Sequence, residues 1–319
     1  MIMNASPVDV RWLILVVACL GSPPPANAQA DKPRDAPSPQ TAPFADPMFW
    51  MEQFLGTENE ADQQTLQQIS ITVADEAKYG GRAAKTFLNE LGRRRVQVVH
   101  RGPDVEYLKK LVAIVRPHMK NHARYPTIRV YLAEAPFPEA KCFPGGTLVF
   151  FRGLLQQAGS EAALVGVTGH ELSHLDHGHQ LHLLRRMKLA QQTFAGRTPT
   201  TAQQFFQSGT LLMRAFLRPF RPEEETVADR DGATWAYPAG YDPRQLAALF
   251  LTLNKRKTGF QNNLPEFLRT HPYPLHRHKY VMDLVDELQF ASPNPSLYIG
   301  RENLHQRIPR SEREFTEER

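Results

Sequence analysis

His170-Glu171-Leu172-Ser173-His174 is the stretch of this sequence in which residue types and spacing prescribe a chemistry. On a helix, residues four apart lie on one face, a turn apart. Two imidazole nitrogens can then reach one zinc ion at about 2.0–2.1 Å. The carboxylate of Glu171 points slightly round the helix towards a water on that ion, where it can serve as general base. The bland reading is a polar, histidine-rich helix face, because residues 170–182 hold His170, His174, His177, His179 and His182.

A catalytic zinc takes three protein ligands and keeps one position open. A third histidine in the pattern H-E-x-x-H-x-x-G-x-x-H is excluded, since His177 and Gln180 stand where that pattern has its Gly and its last His. The better candidate lies further on, in Glu223-Glu224-Glu225-Thr226-Val227-Ala228-Asp229. Glu225 and Asp229 are four apart and face one way on a helix, with Glu225 suited to the metal. Asp229 is suited to accept the other N–H of a ligating histidine and so fix its tautomer. Gly232 and Ala236 continue that face with small residues, which permits close approach to a neighbour. The competing reading is that Glu223 to Glu225 only complement a helix N-terminus.

These residues need a scaffold. Leu66 and Ile69 point to a first helix and Ala83 to Leu91 to a second. A third is expected from Asp104 as cap, with Tyr107, Leu108, Leu111, Val112, Ile114 and Val115 inside and Pro117 as its end. Thr127 to Leu132 alternates as a strand does. Thr147 to Phe151 is β-branched and aromatic after the turn Pro144-Gly145-Gly146. Ser160 can cap a helix to about His182, which carries the zinc motif. A polar stretch, 191–204, leads to an amphipathic segment from Phe205 to Leu217. Further helices are expected from Pro222 to Tyr237, Pro243 to Lys255 and Leu275 to Phe290. The fold class is therefore α+β, mostly helical, with a small sheet beside the helix of the HExxH motif.

The chain has 319 residues, 41% hydrophobic and 22% charged, with a net charge of +5, the values of an ordinary globular protein. No nucleic-acid motif or basic stripe is present, so no nucleic-acid partner is expected. Residues 1–28 join Arg11, the apolar run Trp12 to Leu20 and the cleavage site Ala26-Asn27-Ala28, a secretory signal. The run Val16-Val17-Ala18-Cys19 also fits a lipobox, which would place a lipid on Cys19. Residues 29–48 form a Pro-rich linker, 49–291 the catalytic domain, and 292–319 a charged tail expected to be loose. Either signal reading leaves Cys142 alone, so no intrachain disulfide is expected. No later run is long enough to span a bilayer. The apolar and basic segment Leu211 to Phe220 could lie on a membrane surface, although a core helix or a lid over the cleft fits it better.

Four stretches resemble the zinc metallopeptidases that include HtpX, the CAAX prenyl protease and the periplasmic BepA. Phe143 to Leu155 is similar to the family strand before the active-site helix. His170 to His174 with His179 is similar to its H-E-x-x-H-x-x-x-x-H, and Glu225 to Asp229 to its E-x-x-A-D. Thr270-His271-Pro272-Tyr273-Pro274-Leu275-His276-Arg277 is similar to its T-H-P-x-P-x-x-R. The family usually has Asn-Ala where this chain has Lys141-Cys142. The resemblance implies a zincin-like domain, one Zn2+ on His170, His174 and Glu225, and hydrolysis of peptide bonds. It implies His271 either as donor to the tetrahedral intermediate or as a metal ligand that keeps the enzyme latent. Arg277 could bind a substrate carbonyl or carboxylate. The strand from Gly146 through Thr147, Leu148 and Val149 could take an extended substrate at an exposed sheet edge. The expected function is a metalloendopeptidase of exported, periplasmic or outer-membrane-associated location, acting on unfolded or misassembled envelope proteins. The alternatives are a zinc-binding chaperone or adaptor with little turnover, and an amide hydrolase of cell-wall material.

Overall fold

The structure, a computed structural model, describes residues 66–193, 209–257, 271 and 274–316. The expected signal, the linker, residues 49–65 and most of the polar stretch 191–204 lie outside the described residues. The chain divides at Ser70, and the compact unit from Ile71 onward carries the sheet, the helices and the site.

Helix α1, Val73–Arg93, opens on a capping box: Thr72 accepts from the Asp75 N–H, and Asp75 accepts from that of Thr72. Its stripe Ala83, Ala84, Phe87 and Leu91 turns inward, and the Phe87 ring meets Phe143 at 5.4 Å. After β1, Val98–Val99, comes α2, Pro103–Val115. Asp104, the expected cap, lies inside this helix, because Gly102 is the N-cap and Pro103 takes the first turn. Asp104 instead pairs with Arg152 at 2.8 Å and Arg307 at 2.6 Å. The apolar face is the expected one, with Val105, Leu108, Leu111 and Val115 fully buried. Each such side chain contributes about 1.5–3 kcal/mol.

Strands β2, Arg129–Ala133, β3, Ala140–Phe143, and β4, Thr147–Phe151, complete a sheet of order β1-β2-β4-β3. β4 runs parallel to β2, with Val130 opposite Leu148, and antiparallel to β3, with Cys142 opposite Leu148. Gly145 and Gly146, at φ +80° and +79°, make the turn between β3 and β4, a conformation that favours glycine. This order corrects one expectation. Thr147, Leu148 and Val149, with Gly146 before them, do not form an exposed edge, because β4 is paired on both sides and buried along its whole length. The edge belongs to β3. Strands covered on both faces read as continuous apolar runs, which is the pattern of β4.

After the short α3, Arg152–Gln157, Ser160 caps α4, Glu161–Asp176, by accepting from the Ala163 N–H at 3.2 Å. Every residue of α4 is buried. The expected single helix to His182 is broken, because Gly178 adopts φ +65° and turns the chain into α5, Leu181–Thr193. Then come α6, Gly209–Phe216, α7, Pro222–Ala236, α8, Arg244–Lys257, and α9, Pro274–Ala291. No helix among the described residues is long and apolar enough to cross a membrane.

The tail after Ser292, expected to be loose, is a packed element. It carries α10, Arg301–Gln306, and buries Leu297, Tyr298, Asn303 and Leu304. The carbonyls of Ile299 and Gly300 accept the N–H groups of Ala162 and Glu161. The segment thus satisfies donors that the first turn of α4 leaves unpaired. Its charge misleads because the cations find partners: the Arg310 guanidinium bonds the Gly240 carbonyl at 2.7 Å and lies 4.6 Å over the Tyr298 ring.

Candidate metal centre

Helices α4 and α7 cross at glycines. A Cβ at Gly232 would stand 2.6 Å from the Gly166 carbonyl oxygen and 3.2 Å from the His170 nitrogen. A Cβ at Gly169 would stand 2.9 Å from the Gly232 Cα. Only hydrogen allows this approach, and the approach brings Glu225 of α7 to the histidines of α4.

His170, His174, Glu225 and His271 each offer a donor atom, all within 4.8 Å of one another and all buried. His170 Nε2 and His174 Nε2 are 3.1 Å apart. His271 Nδ1 lies 3.1 Å from His170 Nε2 and 2.7 Å from Glu225 Oε1. Glu225 Oε1 is 3.6 Å from His174 Nε2. Such a cluster of lone pairs is repulsive unless a cation or proton lies among them, so the donor chemistry fits a metal ion. Orphaned atoms support the fit. Glu171 Oε1 and Glu225 Oε2 are buried without a hydrogen bond among the described residues, the latter 3.1 Å from Arg277 Nη1 but outside hydrogen-bond geometry.

The protonation states suit ligation, which needs neutral imidazole. Burial lowers His170. Burial, with the charges of His170 and His179, takes His174 well below the usual histidine range, and burial beside Arg277 does the same to His271. Burial pushes Glu171 up to about 8, with Lys141 opposing and Glu225 adding to the rise. Burial also raises Glu225, to about 7, against the pull of Arg277. Burial works against the charge of Asp229 too, but Arg277 and His170 outweigh it and hold Asp229 down to about 2.

Around the donors stands a layer of orienting groups. His170 Nδ1–H donates to Asp229 at 2.9 Å, the role expected for Asp229. Arg277 forks onto Asp229, Nε at 2.7 Å and Nη2 at 2.6 Å, and its plane lies 4.3 Å from the Phe250 ring centre. The structure therefore gives Arg277 a positioning task. Only Nη1 remains towards the cavity of about 330 Å³ that it lines with Glu225, Thr226, His276 and Tyr280. His271, read as donor or ligand, stands among the ligands, with its Nε2 3.6 Å from Glu171 Oε1. On the other side, His174 Nδ1 meets His179 Nδ1 at 2.7 Å. A buried Glu139–Lys141 pair at 2.6 Å and the Cys142 thiol beside Glu171 complete the surroundings.

Three neighbours escaped the reading of the residues. His179 had a signal, its place five residues past His174, but no assigned task. Phe220 had none, although its ring stacks flat on His174 at 3.6 Å and 9°. Gln180 had none either.

The HExxH helix, the small sheet at its side and the carboxylate delivered by a crossing helix define a zincin-like metallopeptidase. Residues 106–284 match the family model for Peptidase family M48, more than half of the chain. The chain belongs to peptidase family M48, a family of zinc metallopeptidases. It is similar to the mitochondrial metalloendopeptidase OMA1 of Arabidopsis thaliana, 29% identical over 155 residues, 48% of this chain and 30% of that protein. It is also similar to the mitochondrial metalloendopeptidase OMA1 of Schizosaccharomyces pombe, 24% identical over 220 residues, 68% of this chain and 63% of that protein. The chain thus spans less than two thirds of the length of either relative.

Proposed function

We propose that this chain is a zinc-dependent endopeptidase of the cell envelope, with His170, His174 and Glu225 holding the ion and Glu171 as general base. The observation that carries the reading is the buried donor cluster within 4.8 Å, with the Glu171 carboxylate at its rim. Zinc at these donors supplies a Lewis acid for water and for a peptide carbonyl. The chain's own residues do the rest. The seat that raises Glu171 to about 8 makes it a stronger base than an exposed carboxylate; it takes a proton from water and passes it to the departing amine. Asp229 and His179 hold the Nδ1 side of His170 and His174, so that both Nε2 lone pairs face the centre.

An extended peptide would lie along the outer edge of β3, where recognition is through main-chain groups and reads little side-chain sequence. That supports unfolded or misassembled envelope proteins as the substrate class. Export rests on residues 1–28, and a membrane-surface role on the apolar, basic character of 211–220. The distances of 2.7 Å and 3.1 Å favour His271 as a fourth donor in the resting chain, so that activity requires it to leave.

Zinc content and casein cleavage of residues 29–319, beside Glu171→Gln, test the proposal. One zinc per chain with cleavage lost in the variant is expected. Absence of bound zinc would sink the ligand assignment; zinc with no cleavage in either protein, and none after His271→Ala, would leave the adaptor reading.

A further inference from the structure

The outer edge of β3 is occupied. Phe151 N–H donates to the Glu139 carbonyl, and Lys141 stands opposite Val149. In an antiparallel pair the main-chain groups alternate in direction, so those of Glu139, Lys141 and Phe143 face β4 and those of Ala140 and Cys142 face outward. Gln180, 6% exposed, sits on that edge. Its Nε2 donates to the Cys142 carbonyl at 3.0 Å and to the Phe216 carbonyl at 3.2 Å, while its Oε1 is buried without a hydrogen bond among the described residues. The edge is close to the metal centre, because the neighbouring His179 touches His174. Phe216 ends α6, and four residues later the Phe220 ring covers His174 and stands 5.8 Å from that of His271.

We infer that Gln180 is a latch. Its side-chain amide takes the place of a substrate peptide group on β3 and ties the 216–220 strap across the cleft, so that an extended chain binds only by displacing it. The orphaned Oε1 marks the imitation as incomplete: the amide donates as a peptide N–H would, but its oxygen finds no donor. A peptide strand, which donates and accepts along the whole edge, wins the exchange once it is present. This inference rests on the proposed peptidase reading for the identity of the occupant.

The test is binding of a fluorescein-labelled β-casein peptide to the zinc-loaded full chain. Glu171→Gln, which prevents turnover, is compared with Glu171→Gln/Gln180→Met, where methionine keeps the volume and drops the amide. Removal of two competing hydrogen bonds is expected to tighten binding on the order of tenfold, with zinc content unchanged, and to raise casein cleavage when Glu171 is intact. Equal or weaker binding at full zinc content overturns the latch. Loss of zinc in Gln180→Met also overturns it, since Gln180 would then hold the site together. Tighter binding with no cleavage by any variant would leave the latch standing and sink the peptidase reading. Cleavage by the native chain with unchanged binding in Gln180→Met would do the reverse.

Discussion

At the residue scale the centre separates groups that do chemistry from groups that hold them. Glu171→Gln changes one oxygen and leaves the donors in place. Peptidase activity is expected to fall by about 10²–10⁴-fold while zinc content stays at one per chain, measured by casein cleavage and metal analysis on the same sample. His179→Ala removes the group that meets the Nδ1 side of His174. Zinc affinity is expected to fall about 10–100-fold, read by competition with a chromophoric chelator, with little change in unfolding free energy. Asp229→Ala differs from it. The same loss of affinity comes with about 3–5 kcal/mol of destabilisation, because Arg277 is left buried without its partner. Equal stability losses in the two variants would refute this division of roles.

At the element scale the site depends on how closely two helices approach. Gly232→Ala adds one methyl against the Gly166 carbonyl and the His170 nitrogen. The helices must part, at a cost of about 1–3 kcal/mol, and Glu225 retreats from the histidines. A lower thermal midpoint together with weaker zinc binding is the expected outcome, and native zinc affinity at a lowered midpoint would show that α7 can slide without moving Glu225. The glycine-and-alanine face after Asp229 announced this contact, since small residues at helical spacing serve close packing. The place of β4 in its sheet was not announced. Apolar runs of this length suit an edge strand with one covered face and a central strand alike, and only the pairing with both β2 and β3 decides.

At the scale of the whole molecule, the last residues complete the first turn of the catalytic helix. Glu161 is buried, and its carboxylate accepts from Tyr241 at 2.7 Å and from the Arg310 N–H at 2.8 Å. Deletion of residues 297–316 strips one of those donors and uncovers Tyr298 and Leu304. A loss of about 3–5 kcal/mol is expected from urea unfolding, and zinc binding should weaken with it although no ligand is touched. An unchanged midpoint would return this segment to the status of a loose tail. Metal and fold are linked in the same way. Chelation should lower the melting temperature, and added zinc should raise it with the logarithm of its free concentration.

Local order is what the residues carry on their own. The spacing of His170, Glu171 and His174, the four-residue step from Glu225 to Asp229, the caps and the apolar stripes of α1, α2 and α9 are properties of neighbours along the chain, and helical periodicity makes them legible. Contacts between distant segments are not. The turn of His179 towards His174, the flat seat of Phe220, the hold of Gln180 on β3 and the return of Arg310 to the start of α4 join residues whose separation follows no period. Their partners are chosen by packing, which balances shape, burial and hydrogen-bond satisfaction over the whole fold at once. Thus the identity of the metal ligands could be read from the chain, whereas the surroundings that orient, cover and restrain them were decided by the tertiary structure.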